Sequence, residues 1–403
     1  MTTLQKIYDR SFQAVFNLGA RFLRWRRPIL VTGAGCSGQI PALIKREGIE
    51  KVMVVTGPSV GKRIAPRILE ALEDSGLSYE LFTEVESNPS VRTVERIRDL
   101  YREGGCQGFV AIGGGSPMDA AKAAAALIAR PRATLGSMAG LLKVGRSISP
   151  FIAVPTTAGT GSETTIAAVV TDPETHHKYA LMDLHLVPKV AVLDPELTRA
   201  LPPAITAATG MDALTHAVEA YLCWTYNTKE SLRLAEQAVC GIFRYLERAY
   251  RDGGDMEARG EMLLASYRAG FAFTRAGVGN VHAIAHTLGG LYNTPHGLAN
   301  AVILPIVLED YGAAAWHKLA RLAELTGLKS QGSDEEKARA FIAEIRAMNR
   351  RMDIPTGFSY IREEDIPQMI RWALAEANPV YPVPVIYDEK RCEHVIRRVI
   401  AEA

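Results

Sequence analysis

Five residues of types that bind metal ions lie in two stretches of the chain. Asp212 and His216 stand four positions apart, His282 and His286 repeat that spacing, and His296 follows. Residues four apart on a helix point the same way, so one turn can present two ligands to one ion. One carboxylate with two or three imidazoles, leaving a coordination position open, is typical of a catalytic metal site rather than a structural one.

The sequence around these residues predicts helices. The stretch 207–222 reads as a helix with Asp212 and His216 on one face, and three of the chain's nine histidines lie within 280–300. One Asp-x-x-x-His pair often arises by chance, and a lone histidine on an apolar helix is more often a hydrogen-bonded core residue. Two such clusters in uncharged sequence rich in alanine and glycine favour a metal site, although spacing alone leaves both interpretations open.

Length and composition set the broad class. At 403 residues the chain is longer than one compact hydrophobic core usually accommodates, which suggests two domains. A net charge of +2 gives no indication of a nucleic-acid partner. The five cysteines contain no Cys-x-x-Cys pair, which argues against a disulfide framework and predicts a cytoplasmic protein. No run of eighteen or more apolar residues is present, so no transmembrane helix is expected.

Two domains follow from the alternation of elements. Residues 28–203 alternate β-rich runs with amphipathic stretches, which predicts an α/β dinucleotide-binding domain with a mostly parallel sheet. Residues 204–403 keep helical periodicity, which predicts an all-α domain that carries the metal cluster. The predicted strands are Ile29–Thr32, Lys51–Thr56, Tyr79–Phe82, Gly108–Ile112, Phe151–Val154 and Val190–Leu193, and the clearest helices of the first domain are Ile64–Asp74, Val91–Glu103 and Met118–Arg130.

Residues 1–27 predict an N-terminal amphipathic helix that ends in a basic cluster. Its apolar residues at three-to-four spacing are Leu4, Ile7, Tyr8, Phe12, Val15, Phe16 and Phe22, and its basic cluster is Arg21, Arg24, Arg26 and Arg27. We expect this helix to pack on the protein's own body or on a partner subunit. Contact with a membrane surface is the disfavoured alternative.

Glycine-rich loops compete for a nucleotide. The loop 33–38 matches Gly-x-Gly-x-x-Gly after a short strand, but the acidic residue expected about twenty positions on is missing, and Gly57 stands in that region. The loop 113–116 follows an apolar strand and opens an alanine-rich helix, so its amides and the helix amino end suit an anion. A third loop, 155–163, is predicted to form a second wall of the same site. Each could instead be a structural turn.

These motifs together resemble the iron-containing, group III alcohol dehydrogenases. The matching stretches are Gly-Gly-Gly-Ser-Pro-Met-Asp-Ala-Ala-Lys, Pro-Thr-Thr-Ala-Gly-Thr-Gly-Ser-Glu, Gly-Met-Asp-Ala-Leu-Thr-His-Ala-Val-Glu-Ala-Tyr and the segment from His282 to Asn300. They stand in the family's order and spread over about residues 28–310. The resemblance implies a dehydroquinate synthase-like fold with a nucleotide-binding domain, a helical domain and a metal in the cleft between them.

The resemblance also implies roles for single residues. The metal ligands would be Asp212, His216, His282 and His296, and His286 would lie near the nicotinamide without binding the metal. The residues that would contact the cofactor are Gly57, Gly114, Gly115, Ser116, Asp119, Thr156, Thr157, Thr160 and Lys178. Iron(II) is the implied ion, and the same ligands would suit zinc equally well.

Two departures from the family matter. Gly57 stands where many relatives have an aspartate, and Lys62 and Arg63 are close in sequence. Loss of that negative charge favours NADP over NAD. Many relatives read Asn-Pro-Arg near the C-terminus, whereas this chain reads Asn-Pro-Val at 378–380, so substrate identity does not transfer.

The predicted function is reversible hydride transfer between a primary alcohol and NAD(P), assisted by a metal, in a homodimer or higher homo-oligomer. His286 would either relay the proton of the alcohol or only wall the nicotinamide pocket. The alternatives are a glycerol-type polyol dehydrogenase and a dehydroquinate synthase-like lyase. The absence of lysine and arginine from 212–222 and 280–300 argues against a phosphate-bearing lyase substrate. Phe271, Phe273 and 380–386 are candidate pocket residues and suggest an apolar or modest-sized alcohol or aldehyde.

Overall fold

The chain forms two compact units. The computed structural model describes residues 3–171, 178–329 and 331–401, without the side chains of residues 178 and 179. One unit is Arg24–Ala200, and the other combines Met1–Leu23 with Leu201–Ala403. The sequence placed the boundary at residue 203, and it assigned residues 1–27 to a separate helix. In the structure that N-terminal helix belongs to the helical unit.

The first unit contains the strands. In chain order they are β1 (Ile29–Thr32), β2 (Lys51–Thr56), β3 (Ser78–Phe82), β4 (Gly108–Gly113), β5 (Gly140–Leu141), β6 (Phe151–Pro155), β7 (Ala167–Thr171), β8 (Lys178–Met182) and β9 (Val190–Leu193). Within the described residues, β1-β9-β6-β4-β2-β3 form one sheet whose neighbouring strands are all parallel. The six predicted strands are therefore confirmed. A smaller sheet, β5-β8-β7, was not predicted: β5 has only two residues, and the sequences of β7 and β8 lack a clear alternation of polar and apolar residues.

Helices make up most of the remaining elements. They are α1 (Thr3–Ala20), α2 (Ile40–Arg46), α3 (Pro58–Arg63), α4 (Ala65–Asp74), α5 (Val91–Glu103), α6 (Gly115–Ala129), α7 (Leu135–Met138), α8 (Pro203–Leu222), α9 (Lys229–Arg251), α10 (Met256–Ala276), α11 (Asn280–Tyr292), α12 (His296–Tyr311), α13 (Trp316–Leu325), α14 (Asp334–Arg351), α15 (Ile366–Ala377) and α16 (Glu389–Val399). The α/β unit followed by a helical unit confirms the predicted fold class.

Strand alternation divides the core of the α/β unit into two layers. Val52 and Val54 of β2 pack in one cluster with side chains of α2 and α4. Met53 and Val55 of the same strand pack in another cluster with side chains of α5 and α6. Successive side chains of a strand point to opposite faces, so the sheet is covered on both sides. Such a sheet leaves the carboxyl ends of its strands as the usual place for ligands.

The helical unit places α8 against α9, α10 and α12. Among the described residues, His296–Ala314 is the one helical stretch that is long and apolar enough to cross a bilayer, and 61% of that stretch is buried inside the protein. The sequence expectation counted uninterrupted apolar runs and therefore did not single out α12. A buried core helix has the same length and composition.

Helix α1 packs on the protein's own helical unit, one of the two expected partners, and its hydrogen bonds to that unit come from its polar side, while Phe16 contacts the ring of Tyr226 with centroids 5.4 Å apart. The buried Gln13 donates through Nε2 to the carbonyl oxygens of Pro379 and Tyr381, at 2.8 and 2.9 Å. Asn17 Nδ2 donates to the carbonyl oxygen of Thr225 at 2.9 Å. Most of the apolar residues of the helix therefore lie outside its attachment. These carbonyl groups need donors, and a polar helix face supplies them.

Candidate metal centre and nucleotide loops

Three helices of the helical unit bring the predicted metal ligands together. Asp212 and His216 lie on α8, His282 lies on α11, and His296 is the first residue of α12. One ligand atom from each of these four residues lies within 4.8 Å of the other three. Atoms bound to one ion at about 2.1 Å lie at most about 4.2 Å apart, so side-chain shifts of a few tenths of an ångström would complete a coordination shell.

A glycine allows α12 to approach α8 this closely. A Cβ atom on Gly297 would overlap the carbonyl oxygen of Ala208 and would lie 3.2 Å from Cβ of Asp212. Gly297 follows His296 directly in sequence. The absence of a side chain at this position therefore sets the distance between His296 and Asp212, whose Nε2 and Oδ1 atoms lie 3.5 Å apart.

Burial gives the cluster a closed side and an open side. Asp212, His216 and His282 are buried, whereas the side chain of His296 is 39% exposed. Burial lowers the pKa of His282 well below its ordinary value, and the neighbouring histidines 216, 296 and 286 act in the same direction. His282 is therefore neutral at physiological pH, which is the form of imidazole that binds a metal.

Glu219 fixes the orientation of His282. Its carboxylate accepts the backbone N–H groups of Gly279 and Val281, at 2.9 and 2.8 Å, and lies 2.5 Å from Nδ1 of His282. Burial raises the pKa of Glu219 to about 8, against the effect of the backbone N–H groups. Nδ1 of His282 is therefore turned toward Glu219, which leaves Nε2 on the side of the cluster.

Asn300 marks the point on which three of the ligand atoms converge. Its Nδ2 atom lies 2.7 Å from Oδ1 of Asp212, 3.2 Å from Nε2 of His282 and 3.1 Å from Nε2 of His296. Since Asp212 needs a donor, the amide presents N–H groups here, and the two imidazoles present lone pairs. The buried Oδ1 atom of Asn300 has no hydrogen-bond partner among the described residues.

This donor set fits a divalent transition-metal ion. Lone pairs from one carboxylate and at least two imidazoles already point at a common centre, and a buried polar atom beside that centre lacks a partner among the residues described. Nitrogen and oxygen donors of this kind suit iron(II) and zinc alike. The residues present therefore match the metal that the sequence implied.

His286 lies beside the cluster and has a carboxylate partner of its own. Its ring stacks on that of His296 with centroids 5.1 Å apart, and its Nδ1 atom lies 2.7 Å from Oε1 of Glu376. Tyr381 donates its hydroxyl to the same oxygen at 2.6 Å. Burial opposes the charge of Glu376, but His286 and Tyr381 outweigh it, so the pKa of this carboxyl falls below its usual range. Glu376 therefore holds His286 in a defined position.

Phe273 and the segment 380–386 are both candidates for the substrate pocket, and their surroundings differ. The ring of Phe273 stacks on His216 with centroids 4.2 Å apart, which places an apolar surface directly against the metal cluster. In the segment 380–386, Val380 is exposed, whereas Val383 and Ile386 are buried. Exposure therefore varies along this segment, and its place in a substrate pocket stays a prediction.

In the α/β unit, the second and third loops lie against each other. Strands β4 and β6 are adjacent and parallel, with Gly113 in register with Pro155. A Cβ atom on Gly114 would lie 3.2 Å from Oγ1 of Thr157, and one on Gly115 would lie 3.0 Å from Cγ2 of Thr160. The backbone of Thr156 donates to the carbonyl oxygen of Gly113 at 2.9 Å. The two loops thus form one surface at the carboxyl ends of neighbouring strands, as predicted.

Several side chains at this surface form hydrogen bonds with other residues of the α/β unit. Asp119 accepts the hydroxyl of Ser162 at 2.8 Å and the backbone N–H of Val169 at 3.1 Å, which favours a supporting role over direct contact with a cofactor. Ser116 donates its hydroxyl to the carbonyl oxygen of Ser87 at 2.6 Å. The buried Lys122, whose pKa burial lowers to about 8, donates to the carbonyl oxygen of Ser162 at 2.6 Å. Lys122 therefore attaches the threonine-rich loop to α6.

The first glycine loop has an internal anion. Asp194 accepts the backbone N–H groups of Gly35 and Ser37, at 3.0 and 3.1 Å, and the hydroxyl of Ser37 at 2.6 Å. A carboxylate of the chain thus takes the position that a phosphate would take in a nucleotide-binding loop. The Gly-x-Gly-x-x-Gly match at 33–38 is therefore a structural turn.

The remaining cofactor candidates lie at strand ends. Gly57 follows β2 and precedes α3, on which Lys62 and Arg63 are exposed. The side chain of Lys178 lies outside the described residues, although its backbone begins β8.

Sequence reasoning missed several supporting residues. Glu219 stands three positions after His216, and Asn300 stands four after His296, so helical spacing could have identified both. Glu376 is ninety positions from His286 and offers no such signal.

Comparisons with known proteins agree with this geometry. Residues 28–195 match the family model for iron-containing alcohol dehydrogenase, and residues 206–399 match the C-terminal model of the same family. Lactaldehyde reductase of Escherichia coli is 35% identical over 349 residues, which are 85% of this chain and 90% of that protein. NADPH-dependent butanol dehydrogenase of Clostridium saccharobutylicum is 38% identical over 76% of this chain and 79% of its own length.

A solved structure shows the same fold. The crystal structure of a 1,3-propanediol oxidoreductase superposes with a TM-score of 0.90 at 34% identity, and it covers 94% of this chain and 100% of its own. Both units therefore have relatives in one family of enzymes. The chain belongs to the iron-containing alcohol dehydrogenases, a family of NAD(P)-linked oxidoreductases.

Proposed function

We propose that the protein interconverts short-chain aldehydes and primary alcohols, with NADP(H) as the preferred hydride carrier and iron(II) held by Asp212, His216, His282 and His296. The observation that carries this proposal is the convergence of three ligand atoms on the Nδ2 position of Asn300. A divalent ion bound by these ligands would polarise a carbonyl oxygen and lower the pKa of an alcohol, as it does for water. Zinc is the second candidate ion.

The chain's own residues prepare this chemistry. Glu219 turns Nδ1 of His282 away from the cluster, so that Nε2 is the nitrogen that would bind the ion. Asp212 contributes the one carboxylate of the ligand set, so a divalent ion bound by these four residues would keep a net positive charge. That charge favours an anionic oxygen over a neutral one.

His286 has two candidate roles, both set by Glu376. An imidazole held through Nδ1 can pass a proton through Nε2, which would let His286 relay the proton of the alcohol. Its stacking on His296 equally suits a wall of the nicotinamide pocket. The side chain is 38% exposed, so either role is compatible with its burial.

The nucleotide site is proposed at the loops that follow β4 and β6. Backbone amides of Gly114 and Gly115 at the amino end of α6 would hold the pyrophosphate, and Thr157 and Thr160 lie against them. Ser116, Thr156 and Lys178 complete the proposed set. Asp119, whose carboxylate accepts hydrogen bonds from Ser162 and Val169, would support this surface rather than contact the cofactor.

The preference for NADP rests on Gly57. No carboxylate stands there to repel a 2′-phosphate, and the exposed Lys62 and Arg63 follow in α3. One relative is an NADPH-dependent butanol dehydrogenase, which supports this choice.

The proposed class of substrate follows from the apolar surface of Phe273 beside the cluster and from relatives named for lactaldehyde, butanol and 1,3-propanediol. The last of these favours a diol as the second candidate substrate.

We also infer a cytoplasmic homo-oligomer. All five cysteines are free thiols, which is consistent with a reducing compartment.

The test is reduction of a panel of short aldehydes with NADPH and NADH, using protein purified without oxygen and loaded with iron(II). We expect oxidation of the reduced cofactor to depend on aldehyde, with a higher kcat/KM for NADPH. Gly57→Asp should shift the ratio of the two kcat/KM values toward NADH by about tenfold or more. No aldehyde-dependent oxidation with either cofactor would contradict the proposed reaction, and a preference for NADH in the unaltered protein would contradict the cofactor assignment alone.

A further inference from the structure

The outward face of α1 is apolar, although this helix is attached to the protein mainly through its polar side. The large side chains that expose more than half of their surface in and just after α1 are Leu4, Ile7, Tyr8, Val15, Leu18 and Phe22. The opposite side carries the buried Asp9 and Gln13. An amphipathic helix normally turns its apolar side to the body of the protein, so this reversed orientation leaves an apolar face without a partner in the described chain.

The spacing of this face indicates a helix as its partner. Positions 4, 8, 11, 15 and 18 of α1 alternate steps of four and three, and Ser11 lies in the middle of the row. This is the heptad pattern of a seam between two helices rather than the broad apolar side of a helix that lies in a membrane. Helix packing of this kind needs a second helix with a matching seam.

The charges of α1 also argue against a lipid surface. Its charged residues, Lys6, Asp9 and Arg10, are off the apolar row, and Arg10 bonds through Nη2 to the carbonyl oxygen of Pro384 at 3.0 Å. A helix that binds anionic lipid usually carries many lysines and arginines along the borders of its apolar face. Within α1, only Lys6 is an exposed basic residue, and the exposed basic cluster of Arg21, Arg24, Arg26 and Arg27 lies beyond the end of the helix rather than along its apolar face.

We propose that the face formed by Leu4, Ile7, Tyr8, Ser11, Val15, Leu18 and Phe22, here called the α1 seam, packs against the α1 seam of a second copy of this chain. A two-fold axis that passes between the two helices at their midpoints lets the same surface serve both partners. The proposal rests on the homo-oligomer inferred above and names the surface that forms it.

The size of the α1 seam is sufficient for such a contact. Six large apolar side chains that lose on the order of 100 Å² each would bury about 600 Å² per copy. The total of about 1,200 Å² reaches the lower end of the range for stable protein interfaces. The helix of 18 residues is about 27 Å long, which is long enough for several interlocking turns.

The direct test is a cross-link at the middle of the seam. Ser11 is exposed and lies near the centre of α1, so it would face Ser11 of a second copy whether the two helices run parallel or antiparallel. We expect Ser11→Cys to form a covalent dimer under mild oxidation. Gln5→Cys, exposed on the same helix but off the seam, is the matched control and should not. The native thiols give little background because four are buried and Cys240 is half-buried.

The second measurement is sedimentation of Val15→Lys/Leu18→Lys, with Gln5→Lys as the control. The double variant should raise the dissociation constant by about 100-fold or more and sediment at half the native mass, while its helix content by circular dichroism and its turnover stay unchanged. A native protein that is monomeric would overturn both the homo-oligomer and the α1 seam. An unchanged mass in the double variant, together with no covalent dimer in Ser11→Cys, would overturn the seam alone. Flotation of the native protein with anionic vesicles would overturn it in favour of a lipid surface. The hydride-transfer activity is measured separately, so its loss or presence does not bear on this surface.

Discussion

Nδ1 of His282 lies 2.5 Å from Oε2 of Glu219, and both side chains are buried. This contact joins the ligand helix α11 to α8, because the same carboxylate also accepts the backbone N–H groups of Gly279 and Val281. A residue that binds no metal thus sets which nitrogen of His282 faces the cluster. Orientation by such partners is a large part of the affinity of metal sites.

Replacement of Glu219 should therefore weaken metal binding. In Glu219→Gln, the amide N–H groups of the new side chain would face the backbone N–H groups of Gly279 and Val281, and the orientation of His282 would no longer be fixed. We therefore expect the metal affinity to fall about 10- to 100-fold. Titration of the apoprotein with Zn²⁺ by calorimetry measures this directly. Glu236→Gln, the same change at a half-buried glutamate on α9, is the control. Unaltered affinity in Glu219→Gln would show that His282 needs no such partner.

Gly297 should be intolerant of even a methyl group. In Gly297→Ala the new Cβ would overlap the carbonyl oxygen of Ala208 and crowd Asp212, so α12 must move away from α8. We expect a loss of about 1–3 kcal/mol in the free energy of unfolding, together with reduced metal content in purified protein. Gly136→Ala is the matched control, because no atom lies within 4 Å of the added carbon there. Equal stability and metal content in the two variants would contradict the close approach of the helices.

The two glycine loops should respond differently to substitution. Gly115→Ala adds a carbon 3.0 Å from Thr160 at the proposed phosphate site, and we expect the dissociation constant of NADP(H) to rise about tenfold. Asp194→Asn removes one acceptor from the loop 33–38 and should cost about 1–3 kcal/mol of stability, with cofactor binding unchanged. Fluorescence titration with NADPH and chemical unfolding give the two quantities. The reverse pattern would assign the nucleotide to the first loop.

His286 should affect turnover and not metal content. In His286→Ala we expect kcat to fall by about tenfold or more while the metal stays bound, because the side chain lies beside the ligands and is held by Glu376. Glu376→Gln should reproduce part of this loss, since it keeps the size of the side chain but weakens its hold on the imidazole. Metal analysis accompanies both assays. A variant of His286 that loses its metal would instead make this residue a ligand.

Much of this arrangement can be read from the sequence. The strands of the parallel sheet are short apolar runs bounded by turn residues, so their positions were predicted within about one residue at each end. The ligand pair Asp212 and His216 on α8 has the spacing that places two side chains on one face of a helix, and so does the pair of His282 with its neighbour His286 on α11. The neighbourhood of the loops after β4 and β6 follows from the fact that parallel strands end at the same edge.

Other features depend on contacts that local patterns do not contain. The apolar spacing of α1 predicts an amphipathic helix, but the acceptors that fix its polar side are backbone carbonyls of Pro379, Tyr381 and Thr225, far away in sequence. The occupation of the loop 33–38 depends in the same way on Asp194. A glycine pattern indicates that backbone N–H groups are available, but it does not indicate which anion they bind.

The most direct measurement is the metal dependence of aldehyde-driven NADPH oxidation. Protein purified without oxygen should contain about one divalent ion per chain, lose both the ion and the activity on treatment with a chelator, and recover both when iron(II) is added back. Asp212→Ala should fail to recover either one. Full activity in protein that contains less than about a tenth of an ion per chain would contradict the assignment of these four residues to a catalytic metal site.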